Sequence, residues 1–181
     1  SAPWALDSPG NCALVDLLAP GAERLLVFHV VRKGRIAVSA MGHRVELVAG
    51  DLAVLPNADR HIMQSPAASE PVNIADLLPP TPWSDIPVIE LSGGGEASEV
   101  ICGYFRCDEL LFNSFLRRLP PIFKVRPEGT AAALLTAAVD HALDEGSRSG
   151  GVTAMAHITE LLLSETLKLY AAEAGEASGW L

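Results

Sequence analysis

The residues Gly50-Asp51-Leu52-Ala53-Val54-Leu55-Pro56-Asn57-Ala58-Asp59-Arg60-His61 hold a turn, a strand and the start of a second strand in one short run. Glycine permits a tight turn and the aspartate after it can bond that turn's backbone. Pro56 ends one strand, so that the next begins with His61 pointing inward. Upstream and downstream the same texture repeats: LLVFHVV, RIAVSA, RVELV, DLAVLP and HIMQ lie between Leu25 and Gln64, separated by Lys33-Gly34, Met41-Gly42, Gly50-Asp51 and Pro56-Asn57. Short β-branched runs punctuated in this way predict a β-sandwich or barrel.

Further out the character changes twice. Residues 65–99 are proline-rich and contain Gly93-Gly94-Gly95, which predicts a long, partly mobile surface excursion. A strand follows in Val100 to Phe105; Asp108 can then cap a short helix over 108–118 that stops at Pro120-Pro121. After Glu128 the period becomes helical. Leu134, Leu135, Ala138 and Ala142 share one stripe, and Met155, Ile158, Leu162 and Leu169 another, with a turn at Gly146–Gly151. The expected organisation is therefore a β domain over 1–127 and an antiparallel helical pair within 128–181. Such stripes suit packing against the barrel and suit a dimer surface equally, Leu161-Leu162-Leu163 being apolar beyond the needs of one buried face.

With 181 residues, 49% of them hydrophobic, the chain can bury a sizeable core. Its 13 basic and 22 acidic residues leave a net charge of −9, and residues 128–181 contribute −6 of it through eight acids and two bases. Nonspecific nucleic-acid affinity comes from Lys and Arg displacing counterions, so this segment is not expected to bind DNA by itself. No run approaches the roughly 18–20 apolar residues of a membrane span, and SAPWALDSPG lacks the regions of a secretion signal. A soluble, cytoplasmic protein without membrane partners is expected. Cys12, Cys102 and Cys107 form no CxxC pair and are read as reduced thiols.

The spacing from Gly50 through Pro56 to His61 resembles the second motif of the cupin superfamily, G-x5-P-x-G-x2-H, with Ala58 at the motif's inner glycine. Phe28-His29-Val30-Val31-Arg32-Lys33-Gly34 resembles the end of the first cupin motif. Metal-binding cupins have a glutamate seven residues before that closing glycine and an HxH pair earlier; here Val27 stands at the glutamate position and Pro20 to Arg24 contains no histidine. The resemblance implies a jelly-roll type β-barrel, and the fold class expected is α+β, mainly β. Taken with the opening APW, the GGG loop, ICGYFRCD, Leu119-Pro120 and Gly179-Trp180-Leu181, the whole chain resembles the N-terminal cupin-type sensor domain of AraC-family transcription regulators. That resemblance implies a small-molecule effector, a homodimer formed through the C-terminal helices, and DNA contact only through a helix-turn-helix domain following the GWL segment and absent from this chain.

Strand alternation places His29 on the face of Val27, toward the interior with His61. Cys102, on the strand after the glycine loop, is the third candidate. Two readings stand. In one, His29, His61 and Cys102 bind Zn²⁺ or another divalent metal, with water or a carboxylate as fourth ligand. In the other, the histidines are hydrogen-bonded pocket residues and Cys102 a small apolar one. The effector pocket is expected at His29, His61 and Tyr104; Trp4 and Trp83 are further candidate lining residues, although aromatic residues more often belong to a core. His43 is expected to be exposed, and His141 and His157 to be surface or packing residues of the helices. No catalytic residues are assigned. The alternatives to a sensor are a metal-dependent cupin oxygenase or isomerase, which the missing ligands oppose, and a dimerisation module with a filled barrel.

Overall fold

The computed structural model describes residues 1–67, 69–80, 83, 86–107, 118–146 and 165–172. The chain divides into two compact units, Ser1–Thr81 with Val88–Lys124, and Pro82–Pro87 with Val125–Leu181. In the first unit nine strands are described, the last of them closing on the unit boundary: β1 (Ala5–Ser8), β2 (Arg24–Lys33), β3 (Arg35–Ala40), β4 (His43–Val48), β5 (Leu52–Leu55), β6 (His61–Gln64), β7 (Val72–Asn73), β8 (Glu99–Cys107) and β9 (Phe123–Val125). A helix α1 (Asn11–Leu18) and a 3₁₀ turn Ile74–Asp76 complete it. The strands form two sheets in the orders β4-β3-β6-β1-β7 and β8-β2-β5-β9.

The chain crosses between sheets at the turns read from sequence. From β2 to β3 it crosses at Gly34, from β4 to β5 at Gly50-Asp51, and from β5 to β6 beyond Pro56. Gly34 has φ +75°, and a Cβ there would lie 2.5 Å from the carbonyl oxygen of Ala97, so both backbone and space demand glycine. At the second crossing Val48 N–H donates to the Asp51 carboxylate at 2.9 Å, and Asp51 is fully buried. This is the turn bond expected of Asp51. Between β3 and β4, Met41 (φ 49°) and Gly42 (φ 80°) form a two-residue hairpin loop in which both residues have positive φ.

Leu25, Val27 and Val31 of β2 share the core with Ile36 and Val38 of β3, Leu47 of β4, Ala53 and Leu55 of β5, Met63 of β6, and Trp4. Burying these side chains contributes about 1.5–3 kcal/mol for each large apolar one, before conformational entropy is offset. Trp4 thus belongs to the core; its indole Nε1–H donates to Ser98 Oγ at 3.1 Å.

Three expectations need correction or limits. The described part of residues 65–99 is not a free excursion: β7 pairs in parallel with β1, Gly95 N–H donates to Ala2 O at 2.8 Å, and Ala2 N–H donates to Glu96 O at 2.9 Å. A side chain at Gly93 or Gly95 would strike the backbone of Ala2 or Pro3, so the triple glycine serves close approach. In the second unit, α2 (Gly129–Gly146) matches the first helix, but among its described side chains the buried ones are Leu135, Ala138 and Val139, while Leu134 is 41% exposed. The stripe runs i, i+3, i+4 from Leu135, which turns Leu134 outward. Residues 165–172 are also helical. Asp108 and the helix assigned to 108–118, apart from Arg118, lie outside the described residues, as do the turn after Gly146, Met155, His157, Ile158, Leu161 to Leu163 and Gly179-Trp180-Leu181; of Ala142 only the backbone is described.

Candidate functional site

His29 sits in the middle of β2, opposite Ala53 on β5 and Cys102 on β8. Residues paired across an antiparallel ladder point to the same face, so the His29 and Cys102 side chains are neighbours by register. His61 opens β6 in the other sheet, opposite Ser8 on β1 and Ala40 on β3. The two imidazoles meet between the sheets: Nε2 to Nε2 is 2.9 Å, and the ring centroids are 5.0 Å apart. His29 is 4% exposed and His61 2%.

The remaining ring nitrogens are also engaged. His61 Nδ1 lies 2.9 Å from the backbone oxygen of Asp59, and His29 Nδ1 lies 3.1 Å from Cys102 Sγ. Next to His61, Arg60 donates to Asp7 twice, from Nε at 3.0 Å and from Nη2 at 2.5 Å. That fork fastens the first residues of β6 to β1, and the hydrogen bond from Arg60 holds the Asp7 carboxyl below the usual range.

Burial sets the charge state. Desolvation, followed by the proximity of His61, holds His29 well below the ordinary histidine range. Desolvation also lowers His61, partly opposed by its bond to the Asp59 carbonyl and by the charges of Asp7 and Asp59. Both rings are neutral at pH 7. Protein packed around Cys102 pushes its thiol up to about 12, although the residue keeps exposed surface.

Sequence reasoning brought together His29, His61 and Cys102, and the structure does the same. It arranges them differently from a metal centre, however. Cys102 approaches His29 at Nδ1 and His61 approaches it at Nε2, so the three lie in a line instead of around a point. Tetrahedral zinc at about 2.0–2.1 Å from each nitrogen holds two ligand nitrogens about 3.3–3.4 Å apart, wider than the 2.9 Å between these rings. Among the described residues no group of three or more His, Cys, Asp or Glu is arranged to hold a metal ion. The ligand set His29, His61 and Cys102 therefore does not fit the metal that the first reading required.

Tyr104 is inward on β8 and half-buried, but its hydroxyl donates to Leu18 O at 2.8 Å. It holds the end of α1, and burial raises its pKa. His43 and His141 are exposed. What sequence reasoning missed is the Asp59 carbonyl, for which no side chain gives a signal, and an open cleft of about 190 Å³ between the Met41-Gly42 turn and Arg60–Ile62, with His61 in its wall.

A family model described as cupin matches residues 1–172. No curated protein matches the chain. Among the described residues, no helix is long and apolar enough to cross a membrane.

Proposed function

The chain belongs to the cupin family, and on that premise we propose that it is the ligand-sensing and dimerisation domain of an AraC-family transcription regulator, binding a small effector in the barrel. The observation that carries this reading is the buried, neutral His29–His61 pair between the sheets, with the accessible Cys102 at one end and the cleft beside His61 at the other. A ligand that replaces one hydrogen bond of the pair is oriented by the nitrogen it frees, and the three residues present no convergent donor set for metal-assisted turnover. Fold alone would not distinguish sensor from enzyme; the resemblance of the APW, FHVV, GGG and ICGYFRCD segments favours the sensor.

Sensing requires the effector to bind one arrangement of barrel and helices better than another, since equal affinity for both shifts nothing. The C-terminal helices carry that difference to a second subunit, and DNA contact falls to a helix-turn-helix segment of the regulator, because an acidic chain of net charge −9 supplies no phosphate-neutralising surface.

The test is a metabolite screen on the purified chain, read by thermal shift and by the ring signals of His29 and His61, with sedimentation velocity on the same samples. A small molecule is expected to raise the melting temperature, move both ring signals and leave unaltered on recovery, from a chain that sediments as a dimer. Chemical conversion of the bound compound would replace the sensor with an enzyme; a monomer at every concentration would remove the dimerisation role.

A further inference from the structure

We infer that Cys102, His29 and His61 form a one-way hydrogen-bond relay across the barrel, standing where the cupin resemblance implies a metal and coupling the sulfur on one sheet to the imidazole on the other. This goes beyond the regulator reading and does not depend on it.

The direction follows from one boundary condition. A backbone carbonyl only accepts, so the Asp59 oxygen at 2.9 Å requires the hydrogen of His61 to sit on Nδ1. A neutral imidazole has one N–H, which leaves His61 Nε2 as a lone pair. His29 Nε2, 2.9 Å away, must then be the donor, and His29 Nδ1 must accept. Cys102 Sγ, 3.1 Å from that nitrogen, completes the line by donating its S–H. The order is Cys102 to His29 to His61 to Asp59, and every ring nitrogen is used once. Among the described residues no buried side-chain nitrogen or oxygen lacks a partner, as a complete relay requires.

A metal would demand the opposite arrangement. To present both Nε2 lone pairs, His29 would have to carry its hydrogen on Nδ1, Cys102 would have to turn from donor to acceptor, and the rings would have to separate by a few tenths of an ångström. Relay and metal centre are thus exclusive states of the same three residues, and the heavy-atom positions are those of the relay. The thiol hydrogen is thereby committed to His29 Nδ1. Loss of that S–H leaves His29 Nδ1 without a donor and alters the hydrogen bond that His29 makes to His61, so the change at Cys102 reaches a ring on the opposite sheet.

Histidine ring NMR of the ¹⁵N-labelled full chain, washed with EDTA and held at pH 7, tests this directly. His61 is expected to be protonated on Nδ1 and His29 on Nε2. Cys102→Ala should shift His29 Nδ1 and, to a smaller extent, His61 Nε2, leaving His61 Nδ1 in place; Cys102→Ser, which keeps a donor, should restore most of both shifts. One equivalent of ZnCl₂ should leave the wild-type tautomers unchanged. A His29 hydrogen on Nδ1, a His61 signal indifferent to Cys102→Ser and Cys102→Ala alike, or zinc bound at micromolar concentration with both rings switched to Nδ1–H would overturn the inference. Effector binding to either tautomer would survive such a result, so failure here is separable from failure of the sensor reading.

Discussion

Acidification from pH 7 to 5.5 should destabilise the chain through His29 and His61, and the size of the loss follows from their burial. Both have folded-state pKa values below the ordinary histidine value, His29 the more strongly. In the unfolded chain each titrates near about 6.5. Below that pH the unfolded state binds protons that the folded state refuses, so stability falls as pH falls; above it the contribution is fully present. A histidine that stays neutral in the folded state loses about 1.3 kcal/mol between pH 7 and 5.5 by this linkage. His29 should deliver nearly all of that and His61 a smaller part, giving about 1.5–2.5 kcal/mol together. Urea denaturation at the two pH values, with the midpoint compared at constant slope, measures the loss. The double variant His29→Leu/His61→Leu replaces both partners by apolar groups, which is often close to neutral, and it should flatten the pH dependence. Stability that holds or rises on acidification, or a pH dependence that persists in the double variant, would refute the reasoning.

Three further outcomes test the fold around the site. Met41→Asn should stabilise by about 0.5–1 kcal/mol, because asparagine tolerates the left-handed backbone better and Met41 is 69% exposed at φ 49°; a melting curve should move up by about 1–3 °C. Gly34→Ala should cost at least about 2 kcal/mol in urea, combining a positive φ with collision against the Ala97 carbonyl. Asp51→Ala should cost about 1–3 kcal/mol in the same assay by leaving the Val48 N–H without its acceptor, whereas Asp51→Asn, which keeps an oxygen there, should cost less.

The fold between Leu25 and Gln64 was legible because two local signals agreed: β-branched runs of four to ten residues, and a turn pair at each end. Outside that stretch the agreement is missing, because a short run without a turn pair on both sides carries no usable signal. β1 has four residues, β9 three and β7 two, and their strand character comes from partners distant in the chain, such as Leu6 pairing with Met63 and Val72. Helix α1 was equally silent, since it starts after Gly10 with no side-chain cap and no acidic first turn. The glycine run at 93–95 misled in the other direction. Glycine marks both freedom and close approach, and only the backbone of Ala2 and Pro3 lying against it decides between them.

At the candidate site, sequence and structure divide along a physical line. Alternation along β2 and the turn before His61 determine which face each side chain takes, so the meeting of His29, His61 and Cys102 could be anticipated. Which atom of each ring faces which neighbour depends on χ angles and on the separation of two sheets, and neither is written in spacing. Val27 connects the two levels. It lies on the face of His29, packed in the apolar core and 6% exposed, where the metal-binding form of the family carries a carboxylate. A carboxylate buried there would favour a proton on a neighbouring imidazole or a cation between them. With valine in its place nothing charged is needed, and two neutral rings can satisfy each other provided a carbonyl at one end fixes the direction and a donor closes the other. Asp59 and Cys102 supply those two ends. Valine at this position and a relay of fixed polarity are therefore two parts of one uncharged arrangement.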